Sequence, residues 1–492
     1  MIANRMILAL AAASVFLACP ALRADIPDRP ESIAFPELKF TPPKSADFRH
    51  ELSTGVPVYL APSREFPLIN VVFTFRGGAY LDPAEKVGLA EATGSMIRRG
   101  GTTTVSPSDL DEKFDFLAAN AGANSGDIFS SASLNCLASN FDESFALFID
   151  MLRHPGFDAS RLEIYAHEVI EDLRQRNDDA TPILSREWAA LMYGRDHFEA
   201  RQPTAASISS ITPEDLRAMH QRIFNPANLV IAVSGDFDPQ KMLASLEQAL
   251  SGWEFGEKLG EPPAPDAAFA PGLYHVEKDI PQGKVNIGVR GIKRDDPDYF
   301  PMLILNDILG GGGFTSRITK RVRSDEGLAY SAGSAMQTEV YYPGQWRASF
   351  QSKNRTVALA TKIILEEINR VRTDPVSEEE LDVAKNGFIE TLPRTFESKA
   401  GMLNVFVNDE LTGRSPEYWQ TYRDQVRSVS AADIQRVAKE HLDPSKLAIF
   451  VVGNWDEIYA GDLEGRATMG EFFSGNVNHL PLRDPLTLEP MP

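Results

Sequence analysis

Arg323 and Tyr330 stand seven residues apart in the stretch GGGGFTSRITKRVRSDEGLAY, residues 310–330. A guanidinium beside a phenol offers two strong donors, suited to a carbonyl oxygen that is gaining negative charge. Ile318 and Val322, at i and i+4, predict a short helix over 314–324 with Gly327 as its stop. Arg323 then falls in the last turn and Tyr330 opens the alternating run that follows, so only a tight turn separates the two. Plainer readings compete: an Arg near a helix C-terminus complements the dipole, and a Tyr at a strand start packs as an amphipathic ring. Gly310, Gly311, Gly312 and Gly313 are followed by no Gly-Lys-Ser/Thr, so they form a hinge or a peptide-contacting loop and not a phosphate cradle. Arg317, Lys320 and Arg321 read as a solvated basic helix face.

The elements that position this stretch belong to a long chain. Its 492 residues are 43% hydrophobic, enough for more than one core. The net charge of −20 is spread along the chain, which argues against nucleic acid as a partner. Residues 1–24 have the make-up of a secretory signal: Arg5, an apolar run over 6–17 too short to span a bilayer, then small residues before Asp25. With no second spanning segment, a Gram-negative periplasm is the expected location. Phe16-Leu17-Ala18-Cys19 also resembles a lipoprotein cleavage box with an unusual first residue; only with a lipid on Cys19 would the chain sit at a membrane. Without Cys19, Cys136 is the one cysteine left, and its apolar alternation with Leu134 predicts a buried inert thiol.

Residues 25–47, rich in Pro and charge, read as an extended leader. Two strands, over 50–60 and 68–75, are expected to pair as neighbours. An internal repeat gives the plan of the rest: ITPEDLRAMHQRIFNPANLVIAVSGDF at 211–237 aligns without a gap on VSAADIQRVAKEHLDPSKLAIFVVGNW at 429–455. Each copy opens on a hydroxyl cap, Thr212 or Ser430, with an Asp three residues on, and runs a helix into a buried strand. The chain is therefore an α+β protein of two duplicated halves, 48–255 and 273–460, with antiparallel-rich sheets and helices packed on one face. A proline-rich linker over 256–272 joins them, and 461–492 form a C-terminal tail. No two of the eight histidines have the spacing that places a zinc pair on one helix face.

The duplicated halves, Gly88-Leu89-Ala90 in the first and RSDEGLAY in the second resemble the pitrilysin/insulinase-type metallopeptidases over nearly all of 45–460. Catalytic members carry H-x-x-E-H directly after that Gly-Leu-Ala, two His for zinc and a Glu as base. Here the positions read Glu91, Ala92, Thr93, Gly94 and Ser95. The family's third ligand falls at Glu171 or Asp172, with Asp172 preferred from the pattern over 169–173. No zinc is expected in this chain. The resemblance implies a split enzyme: some members divide into one chain with H-x-x-E-H and one with an Arg and a Tyr spaced as Arg323 and Tyr330 are here. That pair then clamps the carbonyl of a peptide held at the partner's zinc, between clam-like halves, with Gly310 to Gly313 touching substrate. In such relatives the peptide adds as a strand to a sheet edge; 124–131 looks like that edge in the first half but, beside a site without the zinc motif, is read as structural packing. Two other classes remain open: a purely structural subunit, and a lone hydrolase using Glu91 and Asp172 around a metal.

Overall fold

Among the described residues twelve strands form two open, six-stranded mixed sheets, and each sheet is built to the same plan. The computed structural model describes Ile33 and residues 39–491. The expected signal over 1–24, with Cys19, and most of the expected leader lie outside the described residues. The first sheet contains β1 (Arg49–Glu51), β2 (Pro57–Pro62), β3 (Leu68–Arg76), β4 (Asn120–Ser125), β5 (Phe129–Leu137) and β6 (Leu229–Gly235), in the order β1-β2-β6-β3-β5-β4. The second contains β7 (Gly272–Glu277), β8 (Gln282–Arg290), β9 (Ala329–Gln337), β10 (Gln345–Lys353), β11 (Ala448–Gly453) and β12 (Val477–Leu480), in the order β12-β7-β11-β8-β10-β9. In each, a parallel pair, β2 with β6 or β7 with β11, leads into an antiparallel run. No helix among the described residues is long and apolar enough to cross a membrane.

The repeat read from the sequence is carried by matching elements. Helices Pro213–Ile223 and Ala431–His441 both start on reciprocal capping boxes, Thr212 with Asp215 and Ser430 with Asp433. They lead into β6 and β11, which take the third place in their sheets. One expectation fails here: β2 and β3 are not neighbours. β6 lies between them, with Val58 opposite Ile231 and Val71 opposite Val233. Leu229 to Ser234 are all buried in β6, and a strand apolar on both faces must lie inside a sheet with both faces covered. That requirement outweighs the proximity of β2 and β3 in sequence.

What covers the second face is the other half of the molecule. Ile69, Val71, Phe73 and Phe75 of β3 bury one face of the first sheet against its own half's helices. The opposite face, with Tyr59, Ala61, Val230 and Ala232, packs on Met402, Leu403, Phe406 and Val407 of helix Lys399–Thr412, which belongs to the second half. In return, helix Ala180–Tyr193 of the first half lays Ile183, Leu184, Trp188 and Met192 against Val276, Phe450 and Val452 of the second sheet. The repeat offset is 429 − 211 = 218 residues, which carries 180 to 398, so the two exchanged helices are copies of each other.

Polar groups set the edges of these contacts. Tyr59 Oη donates to Glu410 at 2.6 Å, and Arg49 spans to the same carboxylate at 3.1 Å. On the other side Tyr342 Oη donates to Glu199 at 2.5 Å. Burial raises the Glu199 carboxyl to about 7, and the nearby Asp127 and Glu339 carboxylates push the same way.

Two outcomes are expected. Phe406 is 1% exposed with Phe48, Tyr59 and Phe396 around its ring, so Phe406→Ala should destabilise the whole chain by about 3–5 kcal/mol in denaturant unfolding. For Glu199, the unfolded carboxyl titrates near about 4.3, so the native state holds a proton that the unfolded chain releases between roughly pH 4 and 7. Native stability therefore falls as pH rises through that window. Glu199→Gln keeps an acceptor for Tyr342 and should raise the melting temperature at pH 8 while leaving it unchanged near pH 4.

Candidate functional site

Arg323 and Tyr330 do converge, and a third residue completes their arrangement. The expected helix over 314–324 is broken: Gly313–Thr315 form a separate tight turn, Ser316 starts a new helical segment at Arg317–Thr319, and Lys320–Asp325 continue it as a widened turn. Glu326 N bonds back to Arg321 O and Leu328 N to Val322 O, so the segment ends in loops wider than α-helical ones. The reason is the left-handed backbone at Gly313 and Gly327, φ 63° at both, which turns the chain at either end. Phe314 is thereby detached from the helix and folds over Arg323.

The guanidinium of Arg323 lies 4.6 Å from the ring centroid of Phe314 and 4.6 Å from that of Tyr330. Two aromatic faces grip one cation, which fixes its plane and leaves its edge N–H groups free to donate. Phe314 is 67% and Tyr330 85% exposed, so the whole stack stands at the surface. Tyr330 is on β9, the outermost strand of its sheet. The sequence reading passed over Phe314; the available signal was a large apolar residue alone among glycines.

The four glycines divide. Gly310 is buried against β9, where a Cβ would stand 2.4 Å from Ser334 N, whereas Gly313 has open space around it and is exposed. The basic face is also not simply solvated. Arg317 makes a two-pronged pair with Glu380 at 2.7 and 2.9 Å, and Arg321 reaches Glu366 and Glu367, both at 3.0 Å. Acids on the neighbouring helices, remote in sequence, neutralise these two cations.

In the first half, helix Leu89–Arg99 carries the positions of the zinc motif. Asp82 anchors its start, accepting from Gly88 N and Ala90 N at 2.8 Å, and burial pushes its carboxyl up to about 6. Gly94 lies flush against β4: a Cβ would be 2.5 Å from Ser125 N and 2.6 Å from the carbonyl carbon of Asn124. The strand backbone therefore occupies the space into which a side chain at 94 would project. Ser95 is half-buried beside it. Glu91 keeps a carboxyl raised by burial and by the Asp127 carboxylate. Asp172 is exposed on helix Ala159–Arg174 and shares the face of Tyr165 and Glu168. Those two face this helix through Arg99, by ring contact and ion pair. At the motif positions themselves the only carboxylates are Glu91 and Asp172, with no imidazole among them and no room for a base at 94, which does not fit a zinc centre.

The run 124–131, read as structural, is a hairpin whose first residues, Asn124 and Ser125, end the edge strand β4. β4 ends at Ser125, and Phe129 to Ser131 already lie inside the sheet, paired to β3. The one group of three close metal-type donors among the described residues is elsewhere, Asp298 with Glu440 and His441. Arg436 already sits on Asp298 at 2.7 Å and supplies the cation there.

A duplicated α+β sandwich with an overbuilt zinc position and an Arg–Tyr pair at an edge strand defines the class. A family profile described as "Peptidase M16 inactive domain" matches residues 210–388. A relative from Helicobacter pylori named "Non-peptidase homolog YmxG" is 24% identical over 409 residues, covering 81% of this chain and 92% of its own. An "Uncharacterized zinc protease" from Mycobacterium bovis is 26% identical over 365 residues, 72% of this chain and 81% of its own. The solved peptidase M16 inactive domain from Pseudomonas fluorescens superposes with a TM-score of 0.74 at 23% identity, covering 82% of this chain and 97% of that one. Residues 210–388 thus match an M16 inactive-domain profile, the chain as a whole is similar to M16-type proteins, and its fold is theirs, while the positions of the H-x-x-E-H motif read Glu91, Ala92, Thr93, Gly94 and Ser95.

Because β4 backbone abuts Gly94, Gly94→Ala should cost about 1–3 kcal/mol in denaturant unfolding. Ser95→Ala, with no such contact, should stay within about 0.5 kcal/mol.

Proposed function

We propose that this chain is the zinc-free subunit of a two-chain metallopeptidase and acts after export to the periplasm. Its partner is a homologous chain carrying H-x-x-E-H, which holds the zinc. This chain contributes peptide binding and stabilises the oxyanion. The observation that carries the reading is the stack of Arg323 between Phe314 and Tyr330, exposed at an edge strand.

Among the described residues no side chain or backbone oxygen is hydrogen-bonded to the Arg323 guanidinium or the Tyr330 hydroxyl. A pair with only a packing role has no need of free donors. Here the N–H edge of Arg323 and the Tyr330 O–H are available to a peptide carbonyl. As the carbonyl becomes tetrahedral its oxygen gains charge, and donors already held in place stabilise that charge without reorganising. Among the described residues the outer edge of β9 has no strand partner, so a peptide laid along it would put its backbone beside Tyr330. Gly313, exposed and left-handed, lets the loop approach that backbone closely.

The test is hydrolysis of an unstructured peptide by this chain, by the H-x-x-E-H partner, and by both together, with and without chelator. Chelator-sensitive cleavage is expected only in the mixture. In that mixture Arg323→Ala should lower turnover about 10²–10³-fold with KM little changed, and Tyr330→Phe by a smaller factor. Unchanged turnover in both variants would end the proposal and leave a structural subunit.

A further inference from the structure

Two imidazoles meet where the last strand joins the second sheet. β12 lies parallel to β7 at the sheet's edge, with His479 opposite His275 and their Nδ1 atoms 3.0 Å apart. His275 is buried and His479 is exposed. The Nε2 of His275 is 3.0 Å from the carbonyl oxygen of Gly453 on β11. A carbonyl oxygen only accepts, so that nitrogen carries a hydrogen. A neutral His275 therefore has a bare Nδ1, and His479 Nδ1 donates to it.

This tautomer limits how many protons the pair can hold. A first proton on His479 leaves its Nδ1 a donor, and the bond stands. A second, on His275, sets two N–H groups and two like charges against each other at hydrogen-bond distance. The surroundings do little to offset that repulsion. From β7, Glu277 brings a carboxylate oxygen to 3.6 Å from His275 Nε2, but its side chain is exposed and it also accepts from Trp455 N. The uncharged Trp455 ring packs on both imidazoles, at 4.7 and 5.3 Å between centroids. Burial pushes the His275 imidazole down to about 4, and the neighbouring His479 pushes the same way.

β12 is short, with Asn478 and His479 exposed, and it leads into a segment that crosses to the first half. There Asn177 Nδ2 donates to Arg483 O at 2.7 Å and Ala205 N to Leu486 O at 2.9 Å. The Arg483 guanidinium reaches the buried carboxylate of Glu187, on helix Ala180–Tyr193, at 3.4 Å. Residues 477–491 thus run as a strap from the edge of one sheet to the other half of the molecule.

We propose that acid releases this strap at its β12 end: protonation of both His275 and His479 frees β12 from β7 while the two sheets stay folded. With β12 gone the His275 imidazole meets water on its Nδ1 side and titrates near about 6.5. A group whose pKa is lower in the closed form favours that form above its free value and ceases to as pH falls. The strap is therefore fully held above roughly pH 6.5 and loosens as pH falls toward about 4. The device lies within this chain and does not rest on the two-chain reading.

Hydrogen exchange of the full chain tests it, compared at about pH 7.5 and about pH 5 after correction for the intrinsic pH dependence of exchange. Protection over 477–482 is expected to fall about tenfold to thirtyfold at the lower pH, while β6 and β11 keep theirs. His479→Gln, at an exposed position, offers His275 either a donor or an acceptor and brings no second charge, so it should shrink that fall at least about threefold. Unchanged protection over 477–482, loss only together with β11, or an equal fall in His479→Gln overturns the proposal.

Discussion

The structure depends on a reciprocal exchange of one helix between the halves. Each central strand pair is apolar on both faces, so each sheet needs a cover on its second side. Neither half supplies its own. Helix Lys399–Thr412 closes the first sheet, and helix Ala180–Tyr193 closes the second. A half standing alone would leave Tyr59, Ala61, Val230 and Ala232, or Val276, Phe450 and Val452, against water, a patch large enough to promote aggregation. From Pro42 onward the chain is accordingly one compact unit. The duplication thus built two halves that fold as one body and not as beads on a linker.

That rigidity bears on both candidate sites. At the degenerate zinc position, β4 is pressed onto helix Leu89–Arg99 through Gly94. The lack of room for a side chain at 94 is therefore built into the packing: placing a Glu there would first require the strand to move. In the second half, left-handed glycines at 313 and 327 bracket a short helical segment that ends in a widened turn. They let Phe314 and Tyr330 close on Arg323 from opposite sides.

The helices of the second half show how charge is handled in so acidic a chain. Arg317 and Arg321, which look like a free basic patch in sequence, are taken up by Glu380, Glu366 and Glu367. The pairing with Arg317 holds the Glu380 carboxyl down at about 2, helped by its capping bond to Ser377. Between the halves the balance is reversed: burial raises Asp127, Glu199 and Glu339, and the Asp127 carboxylate pushes Glu199 and Glu339 further the same way. Nearby acids of this kind make the contact between the halves sensitive to pH in a way that composition alone does not disclose.

The sequence by itself determined the local elements and the duplication. Capping boxes at Thr212, Ser430 and Ser377 mark helix starts through bonds within four residues, and the alternation in β3 and β5 marks a buried face. The loss of H-x-x-E-H and the presence of Arg323 and Tyr330 were equally plain, because they are matters of residue identity at fixed spacing. Only the tertiary structure decided that β6 separates β2 from β3, that the halves exchange helices and that residues past 460 return as β12 on the second sheet's edge. It also decided that Phe314 completes the Arg323 stack and that Arg317 and Arg321 are neutralised. Each of these joins residues tens to hundreds of positions apart. Periodicity reports which face of an element is apolar but carries no information about which distant element covers it.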